Sequence, residues 1–266
     1  MKTLQDVISE QRLEVSRYRK VAENAVSRFC STNDAIVGAL LSGSTARGDA
    51  RSGPFGFMID LVVIVKNKTD IDLEKVFGPD IEPYIPYHCI SFENLGFQIE
   101  LATVDELKSI RSRNESEIFA KQETMILLDK TGFLKEWKQT TFALTPEQKK
   151  VRALMHYFRY QYLTNSYHQE KWTYRDAWIQ LAQNGNEACE CYCSFLYCIN
   201  SWFIPRKDWL VYLTYELIEK PEGHERFVEA AYRSVLSKND VAARYKNFQE
   251  IGIWMTEFCK SSDWIE

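Results

Sequence analysis
The sequence predicts an α+β fold followed by an all-helical bundle, and three observations carry that prediction. Short apolar, β-branched runs stop near residue 102, helical periodicity fills the chain beyond, and the composition changes character at about Ala143. The expected domains are 1–143, an α/β domain with a mixed β-sheet and an N-terminal helix, and 144–266, a helical bundle. At 266 residues the chain exceeds one average globular domain, which suits such a division.

The elements follow in order. Leu4, Val7, Ile8, Val15, Tyr18, Val21, Ala22, Ala25, Val26 and Phe29 recur at helical spacing, predicting one long amphipathic helix over 3–30. Ile36–Leu41 is a buried strand that ends abruptly in Ser42-Gly43-Ser44-Thr45-Ala46-Arg47-Gly48. Ile59–Val65 is the clearest strand, β-branched and closed by Lys66-Asn67-Lys68, and weaker strands are expected at Tyr84–Ser91 and Phe97–Ala102. Capping-box spacing predicts helix starts at Thr103-x-x-Glu106, Ser112-x-x-Glu115 and Thr145-Pro146-x-Gln148. Helices are expected near 146–166, 174–183, 186–203, 208–219, 224–236 and 239–259.

Composition narrows the function. Hydrophobic residues at 45% and charged residues at 26% exclude a disordered chain, and a net charge of 33 − 37 = −4 gives no field that would draw nucleic acid. The first residues lack the apolar core of a signal peptide, and no apolar run reaches membrane-spanning length. The expectation is a cytoplasmic protein with reduced thiols and no membrane partner. The odd count of 7 Cys fits that expectation.

Chemistry is expected at the end of the first strand. A Gly43-Ser44 turn lets backbone N–H groups approach a phosphate, and Ser44 adds a hydroxyl, although an ordinary strand-to-helix turn accounts for the stretch as well. Asp60 lies inside an apolar strand, where a carboxylate without a partner is costly. Alternation puts Met58, Asp60 and Val62 on one face, and Glu100 holds a similar place in Phe97-Gln98-Ile99-Glu100-Leu101. Two carboxylates beside a phosphate-binding turn would suit a hard divalent cation, with magnesium on a nucleotide's phosphates as the natural ligand.

These residues carry a resemblance. Gly43-Ser44-x-Ala46-Arg47-Gly48, Ile59-Asp60-Leu61-Val62-Val63, Ile99-Glu100 and Val104-Asp105-Glu106-Leu107 look like a nucleotidyltransferase domain of the polymerase-β-like superfamily. By pattern the stretch resembles bacterial small-molecule nucleotidyltransferases of the aminoglycoside and lincosamide type. The resemblance covers residues 30–130, with Leu128-Asp129-Lys130-Thr131-Gly132 at its end, and it implies a helical C-terminal domain on the acceptor side. It implies that Gly43, Ser44 and Arg47 hold the phosphates of an NTP. It implies that Asp60 and Glu100 bind Mg²⁺, and that a nucleoside monophosphate passes to a small-molecule hydroxyl. A general base is expected in such a family, but no position identifies it.

One departure matters. The first Asp of the family's Asp-x-Asp falls on Met58, its usual preceding Ser falls on Phe57, and Ser52-Gly53-Pro54-Phe55-Gly56 lengthens the loop. A thioether is a poor ligand for magnesium. Three explanations stand open: a weakened or inactive member that still binds a nucleotide or a partner, a variant in which another carboxylate fills the gap, or a relic with no ligand. Asp49 and Asp105 are nearest for the second, with surface and capping roles favoured for each. A nucleic-acid polymerase or tRNA-modifying reading is disfavoured by the mild acidity.

The remaining conspicuous residues read as structure. Cys189, Cys191, Cys193 and Cys198 lack zinc spacing and are expected as buried thiols. The aromatic run from His156 through Tyr157, Phe158, Tyr160, Tyr162, Tyr167, Trp172, Tyr174 and Trp178 is mostly expected as helix–helix core, with a minority lining an acceptor pocket. Asp176, Glu187 and Glu190 are expected on solvated faces, and His88, His156, His168 and His224 show no ligand spacing.

Overall fold
The computed structural model of the chain describes residues 10, 12–51, 57–84, 86–232 and 237–266. The chain divides into two compact units, Met1–Ala143 and Leu144–Glu266. The first is α+β, built on a mixed sheet, and the second is helical throughout its described residues.

In the first unit, helix α1 (Val15–Phe29) precedes β1 (Ile36–Ser42), the short helix α2 (Gly43–Arg47) and β2 (Met58–Val65). Then come α3 (Leu73–Phe77), β3 (Glu82–Tyr84), β4 (Tyr87–Phe92) and β5 (Leu95–Thr103). Helices α4 (Val104–Lys108) and α5 (Glu115–Gln122), strand β6 (Met125–Asp129) and helix α6 (Phe133–Thr141) complete the unit. The six strands lie in the order β3-β4-β5-β2-β1-β6, with β2 and β5 parallel and the other neighbours antiparallel. The parallel pair needs a crossover, which the segment through α3, β3 and β4 supplies.

Both faces of the central strands are covered, so β1 and β2 read as continuous apolar runs. On one face Ala39, Leu41, Ile59, Leu61, Val63, Phe97 and Ile99 pack with Val21, Ala22, Ala25 and Val26 of α1. On the other, Gly38 lies so close to Leu134 of α6 that a Cβ there would stand 2.5 Å from its Cδ1. Burying a Leu or Ile side chain of this kind is worth about 1.5–3 kcal/mol.

Several expectations change. A continuous helix over 3–30 does not form: residues 12–14 leave the helix, Arg12 bridges to Arg51, and Glu14 caps α1 by accepting from Ser16 N–H. Residues 3–9 and the Ser52–Gly56 insertion lie outside the described residues. The capping boxes at Thr103 and Thr145 form with both reciprocal bonds. Ser112 instead closes a 3₁₀ turn, and the next helix starts at Asn114, whose side chain accepts from Glu117 N–H. Strand β6 was not expected from sequence; its Met125 and Ile126 are exposed at the sheet's edge.

In the second unit, α7 (Pro146–Thr164) gives way to α8 (Ser166–Tyr174) at Asn165, which caps the new helix by accepting from His168 N–H. The two helices expected over 174–183 and 186–203 are one, α9 (Trp178–Ile199). Asn184 accepts from the Gln180 side chain within that helix, and Gly185 leaves room for the Phe248 ring. The segment expected as a helix over 208–219 is a short helix α10 (Lys207–Leu210) and a 3₁₀ turn (Tyr212–Glu216). Helices α11 (His224–Ala231) and α12 (Lys238–Ser261) follow, with residues 233–236 outside the described residues.

Helix α9 packs against α7 and α12, with Tyr192, Phe195, Tyr197 and Cys193 fully enclosed. Two buried polar side chains of this core show how partners are found. Tyr160 donates to the Phe248 carbonyl at 2.6 Å, and Arg244 donates to Asn186 Oδ1 at 2.6 Å. None of the seven cysteines is in a disulfide, and Cys189, Cys191, Cys193 and Cys198 are buried thiols. Of the aromatic run, Tyr157 and Tyr160 are core, whereas Phe158, Tyr162, Tyr167 and Tyr174 are exposed. No helix among the described residues is long and apolar enough to cross a membrane.

Candidate functional site
The antiparallel register of β1 and β2 sets Ser42 opposite Asp60, so the chain leaves β1 into the Gly43 turn directly beside that carboxylate. Gly43 has φ +64°, and a Cβ there would lie 2.2 Å from Asp60 Oδ2. Only glycine permits both that backbone conformation and that approach. Ser44 is the second residue of α2, and its carbonyl accepts from Gly48 and Asp49 N–H groups, closing the turn. Arg19 of α1 fixes the same turn from outside, donating to the Thr45 and Ala46 carbonyls at 3.0 and 2.7 Å.

The parallel register places Asp60 beside Gln98 and Val62 beside Glu100, so Asp60 and Glu100 share a face on neighbouring strands. Burial pushes the Asp60 carboxyl up to about 6; Arg47 opposes the shift and the nearby charge of Glu100 adds to it. Glu100 has a cation of its own. Lys121 Nζ stands 2.7 Å from both of its oxygens.

Arg47 is committed as well. Its guanidinium donates to Asp49 Oδ1 at 3.1 Å and to Glu123, whose other oxygen accepts from Gly43 N–H at 3.2 Å. The Glu123 and Asp49 side chains are each 4% exposed. Burial raises the Glu123 carboxyl against the pull of Arg47, and burial lowers the neighbouring Lys138 ammonium to about 8. Lys138 donates to the Gln122 and Thr124 carbonyls, which holds the turn that carries Glu123.

All five residues singled out from sequence, Gly43, Ser44, Arg47, Asp60 and Glu100, therefore stand in or beside one corner of the sheet. Sequence reasoning missed Glu123 and Lys121, which lie 80 and 21 residues from their partners Gly43 and Glu100 and carry no local signal. Asp105, a candidate to replace the missing carboxylate, is 94% exposed in the first turn of α4, near Lys108. Asp49 is buried, but against Arg47.

These residues do not fit the pair of magnesium ions that the resemblance implies. Met58 supplies a thioether where a carboxylate would be needed, and both Glu100 oxygens are on an ammonium. Among the described residues no three His, Cys, Asp or Glu side chains are grouped to hold a metal ion.

No family model matches the sequence, and no curated protein matches it. Among solved structures the chain is similar to one described as a nucleotidyltransferase-like protein from Exiguobacterium sibiricum 255-15. That likeness has a TM-score of 0.41 at 6% identity, over 93% of this chain and 78% of the other.

Proposed function
We propose that this chain is a nucleotidyltransferase-like protein of the cytoplasm. On this reading its first unit takes the phosphates of a nucleoside triphosphate at the Gly43–Ser44 turn, and its magnesium-dependent transfer chemistry is weakened or lost. The observation that carries the reading is the Asp60 carboxylate set against Gly43, with Glu100 on the same face and Met58 where a further carboxylate would stand. Phosphoryl transfer depends mainly on positioning and charge neutralisation, so a reduced donor set removes its largest contribution. For phosphates to reach the Gly43 N–H, the Glu123 carboxylate must first give way.

A second reading keeps the activity: transfer of a nucleoside monophosphate to a small-molecule hydroxyl, with no nucleic acid involved. It is favoured by Asp60 and Glu100 sharing one face of neighbouring strands, where the charge of Glu100 helps raise the Asp60 carboxyl and a bound cation would relieve that repulsion. One experiment separates the two. Pyrophosphate release from ATP and GTP is followed with magnesium and a panel of aminoglycosides and lincosamides, beside calorimetric nucleotide binding. Nucleotide binding without turnover supports the first reading, and turnover abolished by Asp60→Asn supports the second. Absence of both overturns the proposal.

A further inference from the structure
The ion pair between Lys121 and Glu100 differs from the chain's surface pairs. The Lys121 side chain is 11% exposed, and its ammonium meets both carboxylate oxygens at 2.7 Å. The Glu100 side chain is 35% exposed, so the pair is enclosed at its cation end, where salt and water screen it less than a pair exposed at both ends.

The backbone that bears the lysine is also held. Thr124, 4% exposed, donates its hydroxyl to the Lys121 carbonyl at 2.8 Å. Lys138 donates to the Gln122 carbonyl at 2.7 Å, and Trp137, one residue earlier on α6, donates to the Leu107 carbonyl at 2.9 Å. Lys121 therefore sits in the last turn of α5 at a position its surroundings fix, and it is aimed at β5. On the other side of Asp60, Arg47 serves Asp49 and Glu123 in the same manner. Among the described residues, Asp60 alone of these four carboxylates has no hydrogen-bonded cation.

We propose that Lys121 is the resident cation of this site, holding Glu100 in the place of a divalent metal ion, so that the wild-type chain excludes the metal from Glu100. Removing the ammonium releases a carboxylate on the face of Asp60, and Met58→Asp adds a third oxygen donor two residues before it on the same strand. Hard cations bind through such oxygen sets. The identity of the site rests on the function proposed above, but the exclusion of metal does not.

The test is Mn²⁺ binding to the full chain, read from the electron paramagnetic resonance signal of the free ion, with no nucleotide present. Wild type is expected to take up no Mn²⁺ in a manner that depends on Glu100. Lys121→Met is expected to gain saturable Mn²⁺ binding, roughly tenfold or more tighter than any residual wild-type uptake and abolished by Glu100→Gln, and Met58→Asp with Lys121→Met is expected to bind tighter still. Lys121→Arg keeps a fixed cation and is expected to behave as wild type. Saturable wild-type binding that Glu100→Gln abolishes overturns the proposal. So does a folded Lys121→Met, or Lys121→Gln if the first does not fold, that binds no better than wild type. Failure of nucleotide to bind would sink the functional reading and leave this result standing, and the reverse holds equally.

Discussion

Acidification should selectively weaken the helical unit through His224. This side chain is 3% exposed and lies between two hydroxyls: Tyr192 at 2.8 Å from Nδ1 and Thr214 at 2.8 Å from Nε2. Thr214 spends its one hydrogen on the Val211 carbonyl at 2.6 Å, so it accepts from Nε2–H, and Nδ1 is left to accept from Tyr192. The chain of bonds thus fixes a neutral imidazole in one tautomer.

Burial lowers the His224 pKa from 6.5 to about 4, with Lys220 adding to the effect. Between those values the unfolded chain takes up a proton that the folded chain refuses, so stability falls as pH falls. The difference of 2.5 units, at 1.36 kcal/mol each, makes the contribution about 3 kcal/mol by pH 4. Asp60 and Glu123 shift in the opposite direction, so the wild-type curve alone mixes signs. Urea unfolding of wild type and of His224→Gln between pH 7 and 4 isolates the histidine, because every other group cancels in the difference. Wild type should lose about 3 kcal/mol relative to the variant over that range. A difference that stays flat, or grows in wild type's favour on acidification, refutes the buried neutral imidazole.

Three further outcomes follow from the sheet and its cysteines. Gly43→Ala should cost about 1–2 kcal/mol from the left-handed backbone alone, and more from the contact with Asp60, in denaturant unfolding. It should also reduce nucleotide binding by calorimetry. Asp60→Asn should stabilise the protein at pH 7 by up to about 3 kcal/mol, because a folded-state carboxyl near 6 against 3.8 unfolded favours the proton. That gain should shrink as pH falls from 6 towards 4, and a variant less stable than wild type at pH 7 contradicts the assignment. Ellman's reagent should label Cys89, the one half-exposed thiol, ahead of the six buried ones, which should wait for unfolding.

What could be read from the sequence was whatever depends on near neighbours. Strands β1 and β2 were legible because both faces of Leu40, Leu41, Val62 and Val63 are enclosed, which demands unbroken apolar runs. Asp60 was legible because it interrupts such a run, and Met58 because it lies two residues before it. Strand β6 was hidden because Met125 and Ile126 face solvent at an edge, where no alternation is enforced. The break expected between 183 and 186 does not form, because α9 runs unbroken through Asn184-Gly185-Asn186, where Gly185 packs on the Phe248 ring. The partners of the site were out of reach altogether. Nothing near Lys121 or Glu123 says that Glu100 and Gly43 will be beside them; that is decided by where α5 ends and β6 begins.

The order in which the sheet closes has a consequence for how the protein comes to life on the ribosome. β1 forms its second ladder with β6, so Leu41 waits for Met125, some eighty residues of synthesis later. Pairing across so long a stretch of chain is slow and carries a large loop-closure entropy. Until β6 arrives, one edge of β1 is open, and neither Glu123 nor Lys121 has reached its partner. The corner of the sheet that holds the candidate site is thus completed late, with only α6 of its unit still to follow, and a nascent chain stopped before Thr124 would offer β1 as a sticky margin in its stead.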